Sequence, residues 1–203
     1  MSKAQTAAAG VTGCILAGGR GSRLGGLDKG LVELGGHVLI AHVAARLAPQ
    51  VERVLISANR NVARYRDYAE QVVADDDSGF AGPLAGMAAA LACCSTPTAI
   101  FVPCDSPFLR LDLVARLRAA RDAAAGAIAV ARTGTRTQPV FALISTALLA
   151  DLRTYLDAGG RKIDAWYARH PLAYADFAAD DAAFMNVNTE EDLARAAARV
   201  APA

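Results

Sequence analysis

A segment rich in glycine and cationic side chains, Gly18–Gly30, has the composition of a phosphate-binding loop. Six glycines lie between positions 18 and 30, and Arg20, Arg23 and Lys29 are placed among them. Because glycine has no Cβ, backbone N–H groups in such a segment can approach phosphate oxygens closely, while the cations balance the negative charge. The segment therefore predicts a triphosphate-binding loop, and a flexible surface turn is the alternative interpretation.

Two common phosphate-binding patterns do not fit this loop. A P-loop requires GxxxxGK[ST], but Lys29 is followed by Gly30 and has no hydroxyl residue after it. The dinucleotide pattern GxGxxG also fails, because Gly19 and Gly21 are followed by a glycine at position 25 and not at 24. The segment must be a loop of another type.

Asp105 is the best candidate for a metal ligand. It ends an apolar run, Ala99–Asp105, that predicts a strand, and open α/β sheets bind ligands at the carboxyl ends of their strands. A carboxylate there is a hard oxygen donor suited to Mg²⁺ that bridges phosphates. Capping of the next helix is the alternative role.

Asn186 and Asn188 are two residues apart, so in an extended segment their side chains face the same way. They could complete a magnesium shell or hold a second substrate. For Asn188 the alternative is that it only ends a strand before the capping residue Thr189.

The elements that must position these residues alternate along the chain. Short runs rich in Val and Ile alternate with longer segments rich in Ala, Leu and Arg, which is typical of βα units. Strands are predicted at Val11–Ala17, Arg53–Ala58, Gln71–Asp75, Ala99–Asp105, Ala127–Ala131, Pro139–Ile144 and Ala173–Phe177. Helices are predicted at Val38–Ala48, Leu84–Cys94, Leu111–Ala124, Thr146–Asp157, Lys162–Arg169 and from the Thr189 cap onward. The pattern predicts one α/β domain over residues 1–203, Rossmann-like, with a mainly parallel sheet flanked by helices and a flexible N-terminus at residues 1–10.

Composition excludes several classes of function. The chain is 54% hydrophobic and carries a net charge of +1, which argues against disorder and against binding nucleic acid or an acidic membrane. The four cysteines lack CxxC spacing, so a zinc site is not expected. The early apolar run is broken by Gly10 and Gly13, and the later ones fall far short of the roughly 20 residues that span a bilayer, so we expect no signal peptide and a soluble cytoplasmic protein.

Five motifs, taken in order, resemble those of molybdenum cofactor guanylyltransferases. They are LAGG-x-x-x-R-x-GG-x-DK-x-L from Leu16, SANRN at 57–61, GPLAGM at 82–87, PCDSPF at 103–108 and NVNTEEDL at 186–193. The resemblance runs from about Val11 to Arg199. The LAGG form, in place of the LAAG form of cytidylyl relatives, and the closing NVNT favour guanylyl transfer. The resemblance implies a fold of the nucleotide-diphospho-sugar transferase type.

The resemblance also implies substrates and roles. GTP would be the donor, molybdopterin or Mo-molybdopterin the acceptor, Mg²⁺ the cofactor, and molybdenum-insertion and molybdoenzyme-chaperone proteins the partners. The implied nucleotide-binding residues are Leu16, Ala17, Gly18, Gly19, Lys29, Asn59, Asp75 and Asp105. Arg23, Lys29 and Asp105 would be catalytic, Asp105 would bind the metal, and Gly82, Asn186 and Asn188 would bind the acceptor.

Asp75 is a hypothesis for the residue that reads guanine, because a carboxylate can accept from both N1–H and the N2 amine of that base. Two alternatives to guanylyl transfer stay open at this point. One is a cytidylyl- or sugar-phosphate nucleotidyltransferase of the same architecture, and the other is a non-catalytic GTP-binding regulator.

Overall fold

The computed structural model describes residues 10–18, 28–74, 82–178 and 181–200. The strands are β1 (Val11–Leu16), β2 (Glu33–Leu34), β3 (His37–Val38), β4 (Arg53–Ser57), β5 (Gln71–Val73), β6 (Thr98–Pro103), β7 (Ile128–Thr133), β8 (Arg136–Ser145) and β9 (Leu172–Asp176). The α-helices are α1 (Leu39–Leu47), α2 (Val62–Tyr65), α3 (Pro83–Ala92), α4 (Leu113–Ala123), α5 (Leu149–Asp157), α6 (Ile163–Tyr167) and α7 (Glu190–Ala197).

The central sheet has the strand order β5-β4-β1-β6-β8-β7-β9 in the part of the chain that the structure describes. Strand β1 is parallel to both of its neighbours, β4 and β6. Strand β8 is antiparallel to β6 and to β7, while β9 is again parallel to β7. The predicted mainly parallel α/β fold is confirmed, with β8 as an antiparallel insertion.

Two apolar layers cover the sheet because successive strand residues point to opposite faces. Ile15 and Val102 pack on the face covered by α1 and α4. Cys14 and Phe101 pack on the other face, against α3, α5 and α6. The parallel strands β1 and β6 are therefore buried on both sides, as their continuous apolar sequences predict.

The structure changes some predicted boundaries. The strand predicted at Ala99–Asp105 ends at Pro103, so Asp105 lies in the turn that follows it. The β2–β3 hairpin, which turns through Gly35 and Gly36 at positive φ, was not predicted, and neither was α2. The Thr189 capping box is confirmed. None of the helices among the described residues is long and apolar enough to span a membrane.

Candidate active site

The site is built where three parallel strands end side by side. Leu16 of β1 is in register with Ser57 of β4 and with Pro103 of β6. Beyond these pairs the backbones stay joined, because Ala17 N donates to Ser57 O at 2.8 Å and Cys104 N donates to Leu16 O at 3.1 Å. The segments that leave the three strands therefore start from one rigid edge of the sheet.

Three of the predicted site residues meet at this edge. Lys29 Nζ lies 3.5 Å from Asp105 Oδ2 and also donates to Asn188 Oδ1. These residues come from distant parts of the sequence, and the Asp105 side chain is only 8% exposed against 24% for Lys29. The arrangement places an ammonium, a carboxylate and an amide oxygen around one point.

Asp105 is electrostatically unusual. Burial raises the pKa of its carboxyl group, and the ammonium of Lys29 offsets this only in part. Its Oδ1 atom is buried and accepts no hydrogen bond from any described residue. A buried carboxylate oxygen without a hydrogen-bond donor is costly, and a bound cation would offset that cost.

The segment that carries Asn186 and Asn188 is held in place by Val187, the residue between them. Val187 is fully buried and its N–H donates to Asp105 O at 2.8 Å. The flanking residues Asn186 and Asn188 are more exposed, as the two-residue spacing predicts. Asn186 Oδ1 accepts from Ser106 Oγ at 3.1 Å, so Asn188 is the member of the pair that shares Lys29 with Asp105.

The capping box of α7 holds Asn188 from the other side. Asp192 Oδ2 accepts from the backbone N–H groups of Asn188 and Thr189, both at 3.0 Å. In return, the Thr189 hydroxyl accepts from Asp192 N at 3.1 Å. The local signal that starts the helix thus also fixes the asparagine at the site.

Two cavities adjoin the cluster and share Pro103 and Val140 in their walls. The first, which we call the apolar cavity, measures about 320 Å³ and is lined by Leu16, Gly18, Ser57, Gly82, Pro83, Gly86, Pro103 and Val140. The second, the polar cavity, measures about 460 Å³, and its polar lining includes Arg136, Gln138, Asn186, Asn188, Asp192 and Arg195. Because Asn188 lines the polar cavity and Asp105 follows the shared Pro103 by two residues, the cluster lies near their junction.

The structure places the predicted site residues in different parts of this region. Leu16 and Gly18 line the apolar cavity, and so does Gly82, which was predicted to face the acceptor together with the asparagines. Ala17 is buried and its N–H belongs to the sheet edge, whereas Asn59 is exposed just beyond β4. Gly19, Arg23 and Asp75 lie outside the described residues.

Several cavity residues were missed from the sequence. Ser57 and Gly86 fall inside motifs that had been noted, but nothing in their residue types marked them as lining a cavity. No sequence pattern marked the polar-cavity residues Arg136, Gln138 and Arg195. They reach the site from β8 and α7, and only the tertiary fold brings them together.

A metal ion at this site would depend on few protein ligands. In the ranges that the structure covers, no group of three or more His, Cys, Asp or Glu side chains is placed to hold a metal. Mg²⁺ commonly uses one or two carboxylates and completes its shell with water and substrate phosphates. The unpartnered Oδ1 of Asp105, with the amide oxygen of Asn188 nearby, fits that mode of binding.

The sequence matches a family of known proteins over most of its length. Residues 13–172 match the model of the MobA-like NTP transferase domain, so this chain is a nucleotidyltransferase. A molybdenum cofactor guanylyltransferase of Ralstonia nicotianae is 50% identical over 198 residues, which cover 93% of this chain and 97% of that protein. One of Shewanella sp. (strain MR-4) is 49% identical over 186 residues, covering 92% of this chain and 94% of the relative. The chain belongs to the molybdenum cofactor guanylyltransferase family.

A solved structure shows the same fold. The molybdopterin-guanine dinucleotide biosynthesis protein A from Archaeoglobus fulgidus superposes with a TM-score of 0.77, at 24% sequence identity. The match covers 93% of this chain and 97% of that chain. The agreement over nearly the whole length confirms the α/β architecture predicted from the sequence.

Proposed function

We propose that this chain transfers GMP from GTP to the terminal phosphate of Mo-molybdopterin, forming the guanine dinucleotide cofactor and pyrophosphate. The observation that carries the proposal is the cluster of Lys29, Asp105 and Asn188 near the junction of two unlike cavities. An enzyme that joins two substrates through a phosphate needs two binding cavities and a centre of charge control between them. Family membership supplies the identity of the two substrates.

The apolar cavity is suited to the nucleoside part of GTP. Leu16, Pro83 and Val140 give it a mainly apolar lining, while Gly18 and Gly86 leave backbone close to its surface. Flat bases bind well against such surfaces, and nearby backbone groups can read their edges. The triphosphate would extend toward the glycine-rich segment that follows β1, as the sequence predicts.

The polar cavity is suited to the acceptor. Arg136 and Arg195 bring positive charge to its wall, although Arg195 is paired with Asp192. Gln138 and the two asparagines offer amide donors and acceptors, which match both a phosphate and the polar edge of a pterin. Its volume of about 460 Å³ falls in the usual range for a small-molecule site.

The chemistry requires no covalent intermediate with the protein. The acceptor phosphate is already an oxyanion and can attack the α-phosphorus in line, so catalysis rests on positioning and on stabilising charge. Lys29 is fixed by Asp105 and Asn188 and would neutralise the phosphate charge that grows as pyrophosphate leaves. Arg23 and the backbone of the glycine-rich segment would share this role.

Asp105 would hold Mg²⁺ through the oxygen that has no partner among the described residues, with Asn188 beside it. A bound magnesium ion supplies Lewis-acid stabilisation of phosphate oxygens and orients them. Lys29, Asp105 and Asn188 then form a preorganised set whose charges are matched to a triphosphate with its metal.

Pyrophosphate release separates this proposal from its alternatives. The purified chain would be incubated with Mg²⁺, with GTP or CTP, and with molybdopterin that is free of molybdenum or loaded with it. We expect pyrophosphate only with GTP and acceptor together, in an amount equal to the dinucleotide formed. Equal turnover of CTP would indicate a cytidylyl enzyme. Tight GTP binding without pyrophosphate release would indicate a regulator.

A further inference from the structure

Asp28, the residue before Lys29, is held by two side chains from one short helix. The Tyr65 hydroxyl donates to Asp28 Oδ1, and Asn61 Nδ2 donates to Asp28 Oδ2 at 3.0 Å. Both oxygens of this carboxylate therefore accept hydrogen bonds from side chains other than that of the adjacent Lys29. We call the set formed by Asp28, Asn61 and Tyr65 the aspartate clamp.

We infer that Tyr65 and Asn61 are positioning residues for the transfer reaction, because the aspartate clamp sets where the ammonium of Lys29 lies. The inference deepens the proposed function and uses its assay, but its structural part can be tested without any substrate. Neither residue is among the described residues that line the two cavities, so each would act through Asp28 and the turn Lys29–Leu31.

The short helix α2 is built to bring its two clamp residues to one carboxylate. Arg64 N and Tyr65 N both donate to Asn61 O, at 2.9 and 3.3 Å, so Asn61 and Tyr65 lie one turn apart. Asn61 has φ of 51°, in the left-handed region that asparagine tolerates better than most residues. Asparagine therefore satisfies both the backbone conformation and the hydrogen bond to Asp28.

The ring of Tyr65 also fixes the backbone on the other side of Lys29. Tyr65 is fully buried, and a Cβ atom added to Gly30 would lie 2.6 Å from its hydroxyl oxygen and 3.1 Å from Cε1. No side chain larger than that of glycine fits without moving the ring. Tyr65 thus contacts the residue before Lys29 through its hydroxyl and the residue after it through its ring.

Tyr65 is the donor in its hydrogen bond to Asp28. Burial raises the pKa of Tyr65 far above its ordinary value, and the carboxylate of Asp28 adds to the effect. The phenol therefore stays protonated and donates, while Asp28 accepts. Without this donor only Asn61 would hold the carboxylate, which could then turn toward the neighbouring ammonium and compete with Asp105 for it.

The first test is kinetic and uses a double-mutant cycle. We expect Tyr65→Phe to lower kcat for guanylyl transfer about tenfold with little change in the KM for GTP. In a Lys29→Ala background the same substitution should cause no further loss, since a residue that acts through Lys29 has nothing left to position. Tyr68→Phe is the matched control, because it removes a hydroxyl three residues further along the same segment.

The second test is spectroscopic and needs no substrate. The chain has three lysines, Lys3, Lys29 and Lys162, so lysine-specific isotope labelling gives three assignable side-chain signals. We expect Tyr65→Phe and Asp28→Asn to shift or broaden the Lys29 signal, and Tyr68→Phe to leave it in place. If the wild type transferred no guanylyl group, this measurement would still decide whether the clamp exists.

Two results would overturn the inference. One is a Lys29 signal that stays unchanged in both Tyr65→Phe and Asp28→Asn. The other is a loss of kcat from Tyr65→Phe that is as large in the Lys29→Ala background as in the wild type, which is what a purely structural role produces. Asp28→Asn keeps the size of its side chain, so it serves where Tyr65→Phe lowers the yield of folded protein.

Discussion

Replacing Asp105 with asparagine should make the protein more stable and inactive at the same time. The carboxylate is 8% exposed, and its Oδ1 atom has no hydrogen-bond donor among the described residues. Burial raises its pKa even though Lys29 Nζ lies 3.5 Å away, so loss of hydration outweighs the ion pair. Asparagine keeps the shape of the side chain and removes the charge.

The size of the effect follows from the unpaired oxygen. A buried polar atom without a partner costs about 1–3 kcal/mol, and an uncharged amide recovers part of that cost. Lys29 keeps its hydrogen bond to Asn188 in the variant. We therefore expect the free energy of unfolding to rise by about 1 kcal/mol, which raises Tm by about 2–4 °C in a chain of this size.

The stability difference should depend on pH. Since the pKa of Asp105 is raised from its ordinary value of 3.8, the folded wild type binds more protons than the unfolded chain above that pH. Its stability therefore falls as pH rises from near 3.8 through the folded pKa. The advantage of Asp105→Asn should be absent below that window and fully present at neutral pH.

The assay is thermal unfolding of both proteins across pH, with Asp112→Asn as the control. Arg110 lowers the pKa of Asp112, so that carboxylate stabilises the fold and its removal should not raise Tm at neutral pH. Mg²⁺ at about ten times its Kd should stabilise the wild type by about 1.4 kcal/mol and leave Asp105→Asn unchanged. An asparagine variant less stable than the wild type at neutral pH would show that Asp105 is a structural residue.

Three further substitutions test other parts of the site. Lys29→Ala should remove about 2–4 kcal/mol of transition-state stabilisation and so lower kcat. A change in KM alone would contradict the role of Lys29 at the leaving group. Gly86→Ala places a Cβ 2.8 Å from Ser57 Oγ, so the Ser57 hydroxyl must turn aside in the apolar cavity, and we expect the KM for GTP to rise about tenfold with a modest fall in Tm. Asp75→Asn should shrink the preference for GTP over ITP, which we expect to be about 1.5–3 kcal/mol in kcat/KM for the wild type. An unchanged ratio would exclude Asp75 as the guanine reader.

Most of the fold could be predicted because its signals are local. Val11–Leu16 and Thr98–Pro103 are apolar strands buried on both faces, and Pro83 and Thr189 mark helix starts by their own chemistry. The antiparallel direction of β8 could not be predicted, since direction depends on where the chain crosses the sheet and not on strand composition. Helix α2 was missed because it is one turn long and begins at a left-handed asparagine.

Individual site residues could be predicted where the residue type and its position along the chain indicate the chemistry. Lys29, Asp105 and Asn188 were named from their types and positions, and the structure brings them together. Which asparagine approaches Lys29 could not be read from the sequence, because it depends on how the fold places the two side chains, with Asn186 beside Ser106 and Asn188 beside Lys29. The aspartate clamp was also missed, since tyrosine and asparagine at such positions are ordinary in a surface turn.

The fate of the α-phosphate of GTP tests guanylyl transfer by this site most directly. GTP labelled at that phosphate would be incubated with Mg²⁺ and Mo-molybdopterin, using wild type, Asp105→Asn and the control Asp112→Asn. We predict that the label enters the dinucleotide in step with pyrophosphate release in the wild type and the control, and that Asp105→Asn transfers almost none. Label that remains in GTP with the wild type, or transfer by Asp105→Asn at the wild-type rate, would contradict the account.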